Sequence, residues 1–265
     1  MSWLGIEEGV FIVTGGSSGI GHAVVQELIQ DGAKVVNADL REGSYFNDNL
    51  LFVQTDVTDS ESVNHMVETA VSHFGHIDGL VNNAGINLPR LVVDTKNQSG
   101  KYELSLTDLQ KMFSVNVQGV FLTTQAVLRY LTKQRRGVIV NMSSEAGLEG
   151  SVGQSAYSAT KGAINGFTRS WAKELGKNNI RVVGVAPGIL EATGLRTPSY
   201  EEALAYTRNI TVDQLRRGYS STTTTPLGRS GKLSEVANLV AFFLSDRAGY
   251  ITGVTTNVAG GKSRG

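Results

Sequence analysis

The chain has 265 residues, with 24 basic side chains balanced by 24 acidic ones and no cysteine. A balanced charge without long like-charge runs argues against a nucleic-acid or anionic-membrane surface, and the lack of cysteine excludes disulfides, thiolate catalysis and cysteine zinc sites. Met1 to Gly5 carries no basic region followed by an apolar stretch, and no apolar run approaches the ~20 residues that span a bilayer, so a cytoplasmic protein without a signal peptide is expected.

Strand-like apolar runs alternate with helical patterns along the whole chain. Val10 to Val13 predicts a buried strand that ends in a glycine-rich turn, followed by helical spacing over Ile20 to Gln30 that stops at Asp31-Gly32. Lys34 to Ala38 and Leu50 to Gln54 predict the next strands, and Ser60 to Phe74 a helix. Further strands are expected at Gly79 to Val81, Val138 to Met142, Arg181 to Val185 and near Val254, with helices over Leu106 to Lys133 and Ala156 to Leu175. This alternation implies right-handed crossovers and a doubly wound, seven-stranded parallel sheet with helices on both faces, a Rossmann fold in one domain spanning 1–265. The polar stretch Gly188 to Arg229, with helical patches around Ser199 to Tyr206, breaks the rhythm. It is expected to form a substrate lid over about 189–229.

Gly15, Ser17, Ser18, Gly19, Ile20 and Gly21 lie in the turn between the first strand and first helix. Glycines there let backbone N–H groups approach a pyrophosphate, which the helix N-terminus favours electrostatically. A lone glycine pattern is weak, but this one has a strand before it and a helix after it. Asp39 follows Gly19 by 20 residues at the end of the second strand. A carboxylate at that place accepts hydrogen bonds from ribose hydroxyls and repels a 2′-phosphate, which favours NAD over NADP. Arg41 could welcome that phosphate, but Gly16 and Ser17 offer it no basic neighbour.

Tyr157 and Lys161 are four apart on a predicted helix and so share one face. Such a pair alone means little. Ser144, 13 residues before Tyr157, lies beyond a strand end; Asn82-Asn83-Ala84-Gly85 makes a second tight turn; Asn116 lies within the helix that starts near Leu106. The four histidines, His22, His65, His73 and His76, form no convincing ligand set, so no metal is expected.

With these motifs in order, the chain resembles the short-chain dehydrogenase/reductase family over essentially its whole length. Pro187-Gly188 and Tyr250-Ile251-Thr252-Gly253 agree as well. The resemblance implies hydride transfer between a nicotinamide and a hydroxyl or ketone carbon. It implies Tyr157 as acid/base, Lys161 favouring the phenolate and binding the nicotinamide ribose, Ser144 holding the reacting oxygen, and Asn116 anchoring a relay water. It also implies Asp56 and Val57 beside the adenine, and Asn83, Ala84 and Gly85 near the ribose. Pro187, Gly188 and Ile189 are then expected near the carboxamide. Ala192 stands where family members often carry threonine, with Thr193 one later, which puts that region's cofactor contacts in question.

For the substrate, Asn87, Arg90, Glu145, Glu149 and Arg196 are the candidates. Arginine forks match phosphate geometry, whereas the plain alternative for each is solvated surface charge. The two glutamates either bind sugar hydroxyls or cap turns. Glu145 to Gly150, Gly184 to Pro198 and Ile251 to Lys262 resemble dehydrogenases of phosphorylated hexitols. This implies a sugar phosphate partner and oxidation of sorbitol 6-phosphate at C2 to fructose 6-phosphate with NAD. Two other readings stay open: a reductase of 3-oxoacyl thioesters or another polyol, and a non-catalytic NAD-binding regulator. Family resemblance further implies a homotetramer.

Overall fold

The computed structural model describes residues 3–220 and 224–262. Its sheet has seven strands: β1 (Val10–Thr14), β2 (Lys34–Asp39), β3 (Leu50–Gln54), β4 (Gly79–Asn82), β5 (Gly137–Met142), β6 (Ile180–Pro187) and β7 (Thr255–Val258). All neighbours are parallel, in the order β3-β2-β1-β4-β5-β6-β7. Nine helices are described: α1 (Gly19–Gln30), α2 (Ser60–Phe74), α3 (Leu106–Phe113), α4 (Gly119–Gln134), α5 (Ala146–Glu149), α6 (Ser155–Leu175), α7 (Pro198–Thr207), α8 (Val212–Ser220) and α9 (Leu233–Leu244).

The central strands read as unbroken apolar runs because both faces are covered. Successive side chains point to opposite faces, and the two cores show it. Val13, Val35, Val81, Val140 and Val183 pack with Val24 and Leu28 of α1 and Val236 and Val240 of α9. Ile12, Val36, Leu80, Ile139 and Val182 pack on the other face with Met66 of α2, Leu131 of α4 and Ala172 of α6. Strand order reverses between β1 and β4, so the loops after their carboxyl ends diverge and leave a crevice.

The predicted strands and main helices are all present, but the long helix expected over Leu106 to Lys133 is not continuous. A π-helical stretch, Ser114–Gln118, separates α3 from α4 and contains fully buried Asn116. The extra residue per turn lets the Asn116 amide reach sideways, a recurring reason for such bulges at functional sites. Helices α5, α8 and α9 add to the predicted elements. The run Leu239 to Leu244 is apolar all round and carries no helical period to distinguish it from a buried strand. Among the described residues, no helix is long and apolar enough to cross a membrane.

Candidate active site

The crevice is a cavity of about 930 Å³ lined by both turns, by the end of β2 and by α6. That is within the usual range for a cofactor-sized ligand. Gly15 and Gly19 adopt φ of +66° and +55°, a region that disfavours side chains. A Cβ on Gly21 would lie 2.1 Å from the Gly15 carbonyl oxygen, so only glycine lets the first turn of α1 close on the loop. The Ser18 hydroxyl makes no cap to its own helix, and the first-turn N–H groups of α1 have no intrahelical acceptor. Such a cradle fits a pyrophosphate.

Thr14 ties the two turns together. Its hydroxyl accepts from the backbone N–H of Asn83 and of Ala84, each at 3.0 Å, and the Asn83 amide donates to the carbonyls of Thr14 (3.0 Å) and Gly15 (3.1 Å). Asp39 lines the cleft and accepts from the Ser17 N–H at 3.1 Å. Ser17 itself turns toward β2: its hydroxyl donates to the Arg41 carbonyl (2.6 Å) and accepts from the Asn37 amide (2.9 Å). Asp56 and Val57 line the same cavity on the β3 side, and Ala84 and Gly85 the β4 side. Ser18, Gly19 and Ile20 line it from the α1 side, whereas Ser17 and Gly21 shape the turn from behind.

A smaller cavity of about 250 Å³ adjoins the cleft, sharing Tyr157, Ser143, Pro187 and Thr193 with it. Ser144, Gly188 and Ile189 face this second space. Tyr157 is therefore at the boundary where a bound nicotinamide and a substrate would meet.

Lys161, 5% exposed, donates to the Met142 carbonyl at 2.7 Å and sits 5.7 Å from the centre of the Tyr157 ring. Burial lowers its pKa from the ordinary 10.5 to about 8. Burial also raises the Tyr157 phenol, and a hydrogen bond from Ser144 pulls it back. A lysine still largely protonated at neutral pH is the local cation available to favour the phenolate. The Asn116 amide is held from both ends: its oxygen accepts from Ile86 N–H (2.8 Å), and its nitrogen donates to the Ile86 carbonyl (2.8 Å) and the Thr160 hydroxyl (3.1 Å). It thereby locks the loop after β4 against the turn of α6 just before Lys161.

The buried lysine has a consequence for stability. Its folded pKa lies below its unfolded one, so from pH about 8 upward the unfolded chain holds more protons and stability rises with pH. The wild type is expected to gain on Lys161→Met by on the order of 2–3 kcal/mol between pH 8 and 10. Chemical denaturation at the two pH values measures it, and parallel pH dependences would show that Lys161 is not desolvated.

The substrate candidates separate. Asn87, Glu145, Glu149 and Arg196 line the smaller cavity, whereas Arg90 lines neither cavity. The Arg90 guanidinium is turned to Asp108 at 3.0 Å and to the Pro89 carbonyl at 2.8 Å. Glu145 pairs with Lys262 at 2.6 Å, so it neither caps a turn nor stands free. Gln154, Tyr200 and Tyr219 line this cavity without having been expected there, and Arg208 of the 188–229 segment lines it as well. Tyr200 and Tyr219 carry no sequence motif; they are brought in by α7 and α8. Thr193, Gly194 and Leu195 line the main cleft, with the Thr193 side chain 3.4 Å from where a Gly19 Cβ would be. The expected lid segment thus contributes to both cavities; its residues 221–223 lie outside the described residues, as does Arg264. Among the described residues no group of three or more potential metal ligands forms, and His76 pairs with Asp78 at 3.1 Å.

A glycine cradle at the strand-order reversal, beside a buried Tyr–Lys pair and a serine at the end of β5, defines an oxidoreductase that uses a nicotinamide cofactor. The chain belongs to the short chain dehydrogenase family, whose model matches residues 9–204. Sorbitol-6-phosphate 2-dehydrogenase of Klebsiella pneumoniae is 59% identical to it, over 100% of this chain and 99% of the relative. A 3-oxoacyl-acyl-carrier-protein reductase of Thermotoga maritima is 37% identical, covering 97% of this chain and 98% of the relative. A 3-ketoacyl-acyl-carrier-protein reductase from Brucella melitensis, solved with NADH, superposes with a TM-score of 0.80 at 29% identity, covering 98% of this chain and 100% of that one.

Proposed function

We propose that the chain oxidises sorbitol 6-phosphate at C2 to fructose 6-phosphate, with NAD as hydride acceptor. The observation that carries this reading is the full-length 59% identity to a sorbitol-6-phosphate 2-dehydrogenase, joined to a polar cavity against Tyr157 that holds arginine and lysine side chains. When bound, the nicotinamide supplies the carbon that takes the hydride from C2. Tyr157, as phenolate, removes the C2 hydroxyl proton. Ser144 donates to the same oxygen and keeps it within reach of the phenol. Lys161 lowers the cost of the phenolate from below. A 3-oxoacyl reductase is the less supported reading, because identity to such a reductase is 37% against 59% to the sorbitol-6-phosphate 2-dehydrogenase.

Asp39 supports NAD over NADP by its position on the cleft wall. Asp39→Ala is expected to lower the NAD/NADP ratio of kcat/KM by about 10–100-fold, the range for a charge-assisted hydrogen bond plus lost repulsion. An unchanged ratio would mean that the carboxylate does not meet the ribose.

The segment 189–229 is read as a lid over the smaller cavity. Assembly as a homotetramer is supported by apolar surface on α4 and α6, where Phe121 is 42% exposed beside Trp171, and by Tyr250 and Val254 exposed near β7. Sedimentation at micromolar concentration tests it; a monomer would rule it out. The substrate reading is tested by a steady-state assay of NAD reduction with sorbitol 6-phosphate against sorbitol. Turnover of the phosphorylated sugar alone supports it, and silence with both, from protein that binds NAD, overturns it.

A further inference from the structure

We infer that Arg208 is the residue that binds the substrate phosphate and sets the preference for a phosphorylated over a free polyol. This deepens the proposed sugar-phosphate reading and rests on it.

The insertion 188–229 carries five arginines, and their surroundings differ. Arg216 donates to the Glu201 carboxylate from two nitrogens, at 2.9 and 2.8 Å. Arg229 is paired with Glu235. Arg217 is exposed on α8 and lines neither cavity. Only Arg196 and Arg208 line the smaller cavity. The Arg196 guanidinium lies over the Tyr219 ring, 3.7 Å from its centre, and donates to the Leu190 carbonyl. Its face and one edge are taken. The cavity's lysine, Lys262, is held by Glu145 at 2.6 Å.

Arg208 is different. Its side chain has one partner among the described residues, a neutral one: the Ser151 hydroxyl at 3.2 Å. Among the described residues no carboxylate forms an ion pair with it, although Glu145, Glu149 and Glu191 line the same cavity. Its backbone is fixed, since its N–H donates to the Leu204 carbonyl at 3.2 Å and Thr207 packs tightly on Gly153. A Gly153 Cβ would fall 2.1 Å from the Thr207 hydroxyl oxygen, so the end of α7 rests directly on the loop before α6. A rigid base holding an unneutralised fork at a cavity wall is the arrangement that a dianion can use in bidentate fashion.

The position suits the chemistry of the reaction. Burial raises the Tyr200 phenol; Tyr219 and the catalytic Tyr157 raise it further, while Arg208 opposes them. Tyr200 is therefore within electrostatic reach of both the acid/base residue and Arg208. A hexitol whose C2 hydroxyl meets Tyr157 carries its phosphate four carbons farther along an extended chain. Tyr200, held by the Gln154 amide at 3.1 Å, then flanks the carbons between the two ends.

The test is kcat/KM for sorbitol 6-phosphate and for sorbitol, measured in the wild type, Arg208→Ala, Arg208→Lys and Arg217→Ala. Thermal unfolding and NAD affinity are recorded for each. Arg208→Ala is expected to lose about 100-fold on the phosphorylated substrate with less than about threefold change on sorbitol. Arg208→Lys should fall between, because an ammonium keeps the charge but not the fork. Arg217→Ala removes the same charge from the neighbouring helix and should match the wild type. Inorganic phosphate should compete with sorbitol 6-phosphate in the wild type and lose that effect in Arg208→Ala. A wild type active on sorbitol 6-phosphate, with the preference intact in Arg208→Ala, would overturn the assignment alone. A wild type silent on sorbitol 6-phosphate would overturn the substrate reading and this inference with it.

Discussion

Tyr157→Phe is expected to lower kcat by ~10³-fold or more while the dissociation constant for NAD stays within about threefold. The substitution deletes a single oxygen. The ring keeps its place at the boundary of the two cavities and its contact with Lys161, so cofactor binding has no reason to change. What disappears is the group proposed to take the proton from the reacting hydroxyl. The pH profile sharpens the test. With the phenol raised by burial, wild-type oxidation should climb as pH rises from neutrality, as the phenol gives up its proton. The residual activity of Tyr157→Phe should lack that rise. Turnover within tenfold of wild type, or an unchanged profile, would remove Tyr157 from the acid/base role.

Gly21→Ala should produce the largest effect of any change outside the reacting residues. A methyl group there would lie 2.1 Å from the Gly15 carbonyl oxygen and 2.5 Å from the Asn83 amide nitrogen. Both are fixed: the first is backbone, and the second is bonded to two carbonyls. Relief requires α1 to move off the turn, which opens the cradle and breaks the link between the β1 and β4 loops. The expected result is at least a 100-fold weaker NAD affinity together with a lower melting temperature, since overpacking of this kind costs about 1–3 kcal/mol or more. Gly166→Ala is the matched control. It sits within α6 with no atom within 4 Å of the added carbon, and should leave NAD affinity unchanged while gaining up to ~1 kcal/mol from helix propensity. If calorimetry finds wild-type affinity for NAD in Gly21→Ala, the close approach of turn and helix is not what forms the cofactor cradle.

The period of the apolar residues determined the strands, the main helices and, through their alternation, a parallel sheet covered on both faces. That reading was available because β1, β2, β4, β5 and β6 are largely buried on both sides and so write continuous apolar runs into the chain. That the glycine turn, Asp39, Ser144, Tyr157 and Lys161 gather at the two cavities was legible for a related reason. Each is set by spacing within one element or across one strand–turn–helix junction, where local geometry maps sequence onto position.

Tertiary structure decided what depends on distant partners. The bulge at Asn116 follows from a backbone group 30 residues away, Ile86, which captures the amide and draws it out of the regular helical path. No local pattern announces that. The fate of each arginine was equally hidden, because composition cannot say which carboxylate will be near. Arg90 met Asp108, 18 residues on, and left the cavity it was expected to line. Arg216 met Glu201 across the α7–α8 turn. Arg208 met only a serine hydroxyl. An ion pair forms where packing of the elements places opposite charges within reach, so which cation is left for a ligand is a property of the folded chain.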